Sequence, residues 1–462
     1  MNSFNEGTLP KRNGFYRTLF SLVLPIALQN LIVAAQGTAN VIMLGYVSQT
    51  ALSAVALANQ ILFILNLFYA GLSIGMTMLI AQYWGKGDIT SVETIYGIVL
   101  KISVGISAVF CAAAFFVPDI LMLIFTSDHA LIGTGAEYLR IVSVSYLMMG
   151  ISQMYLNAVR SIERVRISTV INSSALILGI FLNAVFIFGL FGIHKMGVPG
   201  VAVATVIANA AELIWCVVDS VCQKKVHFRL ASVFRKNALL FKDFWHYTLP
   251  ALGNECVWGC ALSMYSVIMG HLGADVVAAN SVASVVGNLA TVASMGIASG
   301  GAILIGKEIG DRQIERVKAD SAKMWKLALL CGVIGGLLIL LIRPFVSSVV
   351  SLSDTAYDYL GTMLLISAYY VIGKSVNATI VCGLFCAGGD AKFGFIVDTI
   401  VMWGVSVPLG LLSAFVFKIP PMGVYFILCL DEFIKLPFIY RHYRRYGWLN
   451  DITRNFAEKE RA

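Results

Sequence analysis

The sequence contains few charged residues. Asp, Glu, Lys and Arg together make up 13% of its 462 residues, whereas 58% are hydrophobic. About a quarter of the residues of a soluble globular protein are charged, because its surface must be hydrated. A chain of this length would not cover a soluble surface with so few charges, so the composition predicts an integral membrane protein.

Motifs for catalysis, metal binding and nucleotide binding are also missing. The sequence has no C-x-x-C pair and no metalloprotease motif, and its nine cysteines all lie in apolar runs, where we expect inert thiols. The segment 301–307 has the spacing of a phosphate-binding loop, but Glu308 stands where that loop requires Ser or Thr. We therefore predict no enzyme activity, no cofactor, no direct use of ATP and no ATPase subunit.

Hydrophobic runs recur along the whole chain, each long enough to cross about 30 Å of hydrocarbon. Lipid offers no hydrogen bonds to the backbone, so each run must be a helix. The first run is too long for a cleavable signal peptide, which we do not expect. The predicted fold class is all-α, a polytopic membrane protein with twelve transmembrane helices. The predicted spans are 18–44, 51–82, 94–117, 136–158, 167–190, 200–221, 244–270, 275–306, 320–341, 358–385, 393–416 and 421–440.

The basic residues are unevenly distributed between the connections of these spans. By the predicted topology, all but six of the 33 Lys and Arg residues fall in the even-numbered connections and the two termini. The six exceptions are Arg140, Lys195, Arg343 and Lys418 on the opposite side, and Lys101 and Lys374 inside helices. An excess of Lys and Arg marks the cytoplasmic side, so we predict a plasma (inner) membrane protein with both termini in the cytoplasm. The net charge of +8 is then explained by topology and contacts with anionic membrane lipids, without a nucleic-acid partner.

The two halves of the chain repeat each other. At an offset of 225 residues, without gaps, seven helix-perturbing or small residues recur. The matched pairs are Pro25/Pro250, Gly45/Gly270, Ala54/Ala279, Ala58/Ala283, Gly71/Gly296, Gly75/Gly300 and Gly85/Gly310. Six helices per repeat give two parallel lobes related by a pseudo-two-fold axis along the membrane normal, with a cleft between them. The predicted domains are an amino-terminal lobe (1–222), a cytoplasmic connector (223–243), a carboxy-terminal lobe (244–441) and a cytoplasmic tail (442–462).

Three segments resemble the multidrug and toxic compound extrusion (MATE) family, in its bacterial branch. They are LPIALQNLIVAAQGTANVIMLG (24–45), LPALGNECVWG (249–259) and GLFCAGGD (383–390). The resemblance extends from about residue 15 to 450, and it implies export of organic cations and other toxic compounds in exchange for inward Na⁺ or H⁺. The chain departs from the family pattern at Asn40, where many members carry a coupling acid, and at Cys386, where Arg is usual.

Acidic residues inside the predicted helices are concentrated in the carboxy-terminal lobe. Glu255 aligns with Asn30 in the repeat, and Asp398 aligns with Asn172 at an offset of 226. A charge at mid-membrane is costly, so it needs a partner, a water-filled cavity or a function. A carboxylate can bind Na⁺ through oxygen or take up a proton. Glu255 is therefore the leading candidate for ion coupling, including as a Na⁺ ligand.

Lys374, Asn377 and Asp398 complete the predicted cation-coupling site. Asn377 follows Lys374 by three residues and shares its helical face. Two alternatives remain open at this point. Glu255 and Lys374 would form a purely structural ion pair, or Asp398 would pair with a loop at the end of its helix.

Other polar and aromatic residues are candidates for the substrate cleft. Amides on apolar helices either line a cavity or form hydrogen bonds between helices, and aromatic rings can offer a π-face to an organic cation. The proline of each repeat allows a kink and is a candidate hinge. The cleft candidates are Asn30, Asn40, Asn172, Tyr69, Tyr146, Trp258 and Tyr265, and the hinge candidates are Pro25 and Pro250.

These features together predict a secondary active exporter that works by alternating access. Its substrates would be small organic compounds, chiefly cations, and its driving ion Na⁺ or H⁺. A flippase for lipid-linked oligosaccharides is the nearest alternative, and it would require a strongly cationic cleft. A membrane receptor or channel without transport activity is an alternative from another class, although the chain has no evident sensor domain.

Overall fold

Twelve long helical segments make up the architecture. The computed structural model describes residues 14–192, 194–223, 237–349 and 352–454, and these contain helices and connecting turns but no strand. The segments are α1 (Phe15–Val47), α2 (Gln49–Lys86), α3 (Ile89–Phe116), α4 (His129–Ser161), α5 (Val165–Phe188), α6 (Gly197–Cys222), α7 (Ala238–His271), α8 (Ala274–Gly310), α9 (Ile314–Val349), α10 (Asp354–Phe385), α11 (Ala391–Val416) and α12 (Pro421–Leu428 and Asp431–Arg444). Within the described residues, nine of them are long and apolar enough to cross a membrane. The predicted all-α polytopic fold is confirmed.

The helices form two six-helix lobes. Helices α1–α6 pack mainly on one another, as do α7–α12, and α1 and α2 make the principal contacts with α7 and α8 of the other lobe. Positions 224–236 of the predicted connector and 455–462 of the predicted tail lie outside the described residues. The exact domain boundaries therefore stay predictions.

Short capped turns set the antiparallel course of the helices. The Ser48 hydroxyl accepts a hydrogen bond from the Ala51 amide at 3.0 Å at the start of α2. Asp88 accepts one from the Ser91 amide, also at 3.0 Å, at the start of α3. Gly87 lies between these helices with φ of 79°, a left-handed conformation that glycine adopts without strain. Because the α1–α2 and α2–α3 turns are so short, these three helices cross the membrane in alternate directions.

The last three helices are irregular. Segments 379–385 of α10 and 399–406 and 412–416 of α11 are π-helical, a distortion often found beside functional sites. The predicted span 421–440 is wrong as a continuous helix, because α12 is broken at Cys429 and Leu430. The break places Asp431 and Glu432 in the first turn of the second piece, where the helix dipole favours acidic side chains.

Close glycine contacts join the lobes in a symmetric pattern. A Cβ atom added to Gly75 of α2 would lie 1.9 Å from Thr248 Oγ1 of α7. One added to Gly300 of α8 would lie 3.1 Å from Val23 Cγ2 of α1. These two contacts are the same pair of repeat positions with the lobes exchanged, as the 225-residue offset requires. The repeat read from the sequence therefore corresponds to a pseudo-two-fold interface.

A second symmetric contact closes one side of the molecule. A Cβ atom on Gly85 would lie 2.1 Å from the Lys307 carbonyl oxygen, and one on Gly310 would lie 1.9 Å from the Gln82 carbonyl oxygen. These crossings lie at the ends of α2 and α8, on the side where α1 begins and α12 ends, here called the terminal side. At the opposite end of α1, Gly45 has no neighbour within 4 Å of such an added atom.

The chain segment after α12 reinforces this closure. Residues 448–454, here called the C-terminal strap, run from the carboxy-terminal lobe across to α2. The buried Gln82 side chain accepts a hydrogen bond from the Ile452 amide at 2.9 Å. Arg454 forms a two-point ion pair with Asp243 at the start of α7, and its amide donates to the Tyr83 hydroxyl at 3.0 Å. The strap thus ties both lobes together on the terminal side.

Candidate functional site in the carboxy-terminal lobe and the interlobe cleft

The four residues predicted for cation coupling lie around one cavity. This carboxy-lobe cavity has a volume of about 220 Å³, and α7, α8, α10, α11 and α12 contribute to its walls. Glu255, Lys374, Asn377 and Asp398 all line it, although three different helices supply them. Its polar lining is completed by Asn254, Trp258, Glu432 and Lys435. The structure thus brings the predicted group together, while the coupling role itself stays a prediction.

A buried lysine is the main counter-charge in this cavity. Lys435 is 2% exposed, and its Nζ lies 2.8 Å from Asp398 Oδ1, 3.6 Å from Asp431 Oδ2 and 3.7 Å from Glu432 Oε1. The loop-pairing alternative for Asp398 is therefore wrong, because its partner is inside the helix bundle. A buried charge needs such compensation, since water cannot solvate it.

Sequence reasoning missed three members of this cluster. Sequence analysis selects none of Asp431, Glu432 and Lys435, although the second piece of α12 carries all three into the protein interior. A signal was present: D-E-x-x-K lies within the predicted span 421–440, and a spacing of three to four residues places the acids and the lysine on one helical face.

Asn377 is held by a neighbouring acid. Its Nδ2 donates hydrogen bonds to the Glu432 side chain at 2.7 Å and to the Glu432 carbonyl at 2.6 Å. Its Oδ1 has no hydrogen-bond partner among the described residues. The contact ties α10 to the break in α12 and leaves one amide oxygen available in the cavity wall.

Glu255 and Lys374 do not form an ion pair. Neither has a partner of opposite charge within 4 Å in the part of the chain that the structure describes, so the structural-pair alternative does not apply to this conformation. Lys374 also lines a second cavity of about 250 Å³, here called the tyrosine cavity after Tyr265, Tyr370 and Tyr425. Each of these two charged residues therefore borders a cavity.

An interlobe cavity of about 270 Å³ lies between the two halves. Glu255 lines this cavity as well as the carboxy-lobe cavity, so one carboxylate borders both spaces. Arg160 of α4 is the other charged residue in the wall, and Cys386 lies at the aligned position of the other lobe. The amino-terminal lobe also contributes Ser73, Thr77 and Asn157. Sequence reasoning did not select Arg160, although the repeat pairs it with Cys386.

Comparison with known proteins decides the family. The model of the MatE family matches residues 25–185 and 250–412, which cover most of both lobes. The chain belongs to the MATE family. It is therefore a multi-pass membrane transporter and not an enzyme, as predicted.

Relatives and solved structures resemble this MATE protein over nearly its whole length. The uncharacterized transporter YisQ of Bacillus subtilis is 25% identical and aligns over 94% of this chain and 95% of its own. The probable multidrug resistance protein NorM of Thermotoga maritima is 25% identical over 90% of this chain and 89% of its own. An outward-facing MATE transporter structure superimposes with a TM-score of 0.85 at 16% identity, over 96% of this chain and 98% of that one. At that identity the structural match shows the fold alone.

The MATE protein buries two of the predicted cleft residues in its amino-terminal core. Tyr69 is 4% exposed and Tyr146 is 1% exposed. The Tyr69 hydroxyl donates to the Tyr146 carbonyl at 3.0 Å and lies 2.8 Å from the Ser107 hydroxyl. The prediction that these rings face the cleft is wrong for this conformation, because helix packing satisfies them inside the lobe.

Two of the predicted cleft asparagines form hydrogen bonds between helices. Asn40 accepts a hydrogen bond from Asn183 Nδ2 at 2.8 Å, and Asn172 accepts one from Gln29 Nε2, also at 2.8 Å. This is the structural alternative of the sequence analysis, so the assignment of both to the cleft is corrected. Asn30 is half-buried and is not among the residues that line the cavities described above.

The amino-terminal lobe contains an acid that the sequence analysis overlooked. Glu212 of α6 is 5% exposed, and its Oε1 lies 3.5 Å from Asn172 Nδ2 and from Gln153 Nε2. The concentration of acids in the carboxy-terminal lobe is therefore only partial. Asn172, the position that aligns with Asp398, thus contacts an acid of α6, whereas Asp398 contacts a lysine of α12.

The two remaining aromatic candidates border cavities inside the carboxy-terminal lobe rather than the interlobe cavity. Trp258 lines the cavity of Glu255, and Tyr265 lines the tyrosine cavity. Pro25 and Pro250 lie inside helices that continue beyond them. Their roles in substrate binding and in bending stay predictions.

Proposed function

We propose that this MATE protein exports small organic compounds, chiefly cations, in exchange for inward Na⁺ or H⁺. The position of Glu255 carries this proposal, because its carboxylate borders both the interlobe cavity and the carboxy-lobe cavity. A substrate in the first space and an ion in the second would compete for one negative charge. Such competition is the basis of exchange, since a bound ion lowers the affinity for a cationic substrate.

The proposed cycle is alternating access. In the described conformation the glycine contacts and the strap close the terminal side, so the interlobe cavity would receive ions from the opposite side. Ion binding near Glu255 then favours substrate release. An ion biases the conformational equilibrium only as far as it binds one conformation better than the other.

The proposed location is the bacterial plasma membrane, with the terminal side in the cytoplasm. The Lys and Arg distribution supports this orientation. The multidrug resistance protein PmpM of Pseudomonas aeruginosa is 23% identical over 88% of this chain and 86% of its own. The names of PmpM and of NorM support drug-like substrates for this chain.

The cavity charges do not favour the flippase alternative. A flippase for lipid-linked oligosaccharides would require a strongly cationic cleft. The interlobe cavity instead has one basic residue, Arg160, and one acid, Glu255, in its wall. Family membership separately argues against a receptor that transports nothing.

The test is ethidium efflux from proteoliposomes under separately imposed Na⁺ and pH gradients. Glu255→Gln should lower gradient-driven efflux at least tenfold, and more severely than it weakens ethidium binding, because the neutral amide takes up no proton and offers no negative charge to Na⁺. Glu315→Gln makes the same substitution at an exposed position and should behave like the wild type. Full coupling in Glu255→Gln would rule out this assignment.

A further inference from the structure

Asp431 is an acid without adequate compensation. Its side chain is completely buried, and neither carboxylate oxygen has a hydrogen-bond partner among the described residues. The nearest cation is Lys435, whose Nζ lies 3.6 Å from Asp431 Oδ2 and is closer to Asp398, at 2.8 Å. Buried polar groups are nearly always hydrogen-bonded, so this carboxylate has acceptor capacity that the protein leaves unused.

The charges around Asp431 do not balance. The titratable groups near it are Tyr265 of α7, Tyr370 and Lys374 of α10, Asp398 of α11, Glu432 and Lys435 of α12, and Cys429 in the break of α12. Together with Glu255 in the wall of the carboxy-lobe cavity, the acids Asp398, Asp431 and Glu432 oppose two lysines, which gives a net charge of −2 when all are ionised. A net charge inside a membrane protein is costly, and one ion at Glu255 would remove only half of it.

Asp431 lies close to both cavities. Cys429 lines the tyrosine cavity and Glu432 lines the carboxy-lobe cavity, and the charge of Asp431 acts on Tyr265 and Tyr370, which also line the tyrosine cavity. The Tyr265 hydroxyl is buried and has no hydrogen-bond partner among the described residues. It is a neutral oxygen of the kind that completes the coordination of a hard cation.

We propose that Asp431 is a second ion-binding carboxylate and that each export cycle exchanges two monovalent cations or protons. This inference rests on the proposed antiport function. Lys435 lies within 4 Å of both Asp398 and Asp431. When an ion or proton neutralises one of these two acids, the lysine pairs with the other.

The experiment measures coupling stoichiometry in proteoliposomes with ethidium as the substrate and the membrane potential clamped. When net ethidium movement has stopped, the ethidium concentration ratio across the membrane depends on the concentration ratio of the coupling ion. In a plot of the two logarithms, the slope equals the number of ions exchanged per ethidium. The expected slope is two for the wild type and one for Asp431→Asn. Asp358→Asn is the matched control, because Asp358 is exposed, and should keep a slope of two.

Three results would separate this inference from the proposed function. No gradient-driven movement in the wild type would overturn the antiport function itself. A wild-type slope of one, or a slope of two in both wild type and Asp431→Asn, would overturn the role of Asp431 alone. Asp431→Glu retains the acid and should restore the slope of two, which a purely structural role for Asp431 would not predict.

The number of ions that the wild-type protein releases provides a test that needs no variant. Addition of ethidium to detergent-solubilised protein should release two protons or two Na⁺ ions per chain, measured with a pH or sodium electrode. Release of one ion per chain would contradict the proposal.

Discussion

At the scale of single residues, the electrostatics of the carboxy-terminal lobe depend on Lys435. Its ammonium group lies within 4 Å of three acids and is almost completely buried. The amphiphilic pattern D-E-x-x-K is ordinary on a helix that faces water. Burial by the surrounding helices makes this lysine a structural requirement, because among the described residues it is the one cation within 4 Å of these acids.

Replacement of Lys435 by methionine should therefore destabilise the protein strongly. Methionine keeps an unbranched side chain of similar shape but leaves the acids without compensation, a change that typically costs about 3–5 kcal/mol. The expected result is a clear fall in the thermal unfolding midpoint in detergent. Lys318→Met is the control, because that lysine pairs with Glu315 at the surface and should contribute little. An unchanged midpoint for Lys435→Met would mean that the acids are already neutralised by other means.

At the scale of helices, the crossing of α2 and α8 keeps the terminal side closed. Each helix places a glycine against a backbone carbonyl of the other, at Gly85 with Lys307 and at Gly310 with Gln82. A side chain at such a glycine cannot be accommodated by rotamer changes, because the neighbouring atom belongs to the main chain. This close approach of the two helices therefore requires glycine at both positions.

Gly310→Val should push these two helices apart and favour the conformation that is open on the terminal side. Spin labels at the exposed Thr90 and Ala319, in a variant without reactive cysteines, report the distance between the lobes. We expect the distance distribution to shift to longer values. Gly45→Val places the same side chain in open space and should leave the distribution unchanged. A Gly310→Val distribution that matches the wild type would show that the crossing does not control closure.

At the scale of the whole molecule, the C-terminal strap adds polar contacts to this closure. Gln82 and Tyr83 of the amino-terminal lobe and Asp243 of the carboxy-terminal lobe all bind it. Any conformation that opens the terminal side must break contacts with at least one lobe. The strap therefore stabilises the conformation that is closed on the terminal side relative to the open one.

A chain that ends at Leu449 should open on the terminal side more often. It lacks the contacts of Ile452 and Arg454, so the Thr90–Ala319 distances should become longer and more broadly distributed. A chain that ends at Arg454 keeps every described contact of the strap and should match the full-length protein. Identical distances in the two truncated proteins would exclude a role of the strap in closure.

Composition, apolar runs and the internal repeat determined the architecture of this protein. Twelve helices, two parallel lobes and the contact between them follow from the sequence, because hydropathy is a local property and helices are the structures that satisfy the backbone in lipid. Gly75 packs on Thr248 and Gly300 packs on Val23, and the two contacts are related by the 225-residue offset. The lobe interface therefore follows the repeat that is visible in the sequence.

The tertiary structure alone decided which polar residues meet. Tyr69 lies in the lobe core and Asn172 lies between helices, whereas Arg160 reaches the cleft and Lys435 joins Asp398. Tyr69, Asn172 and Arg160 are all polar positions on apolar helices, so sequence patterns treat them alike, and the pattern around Lys435 does not name its partner on α11. Their surroundings depend on the rotation of each helix about its axis and on the helix packed against it. Those contacts form between residues far apart in the chain, and no local pattern specifies them.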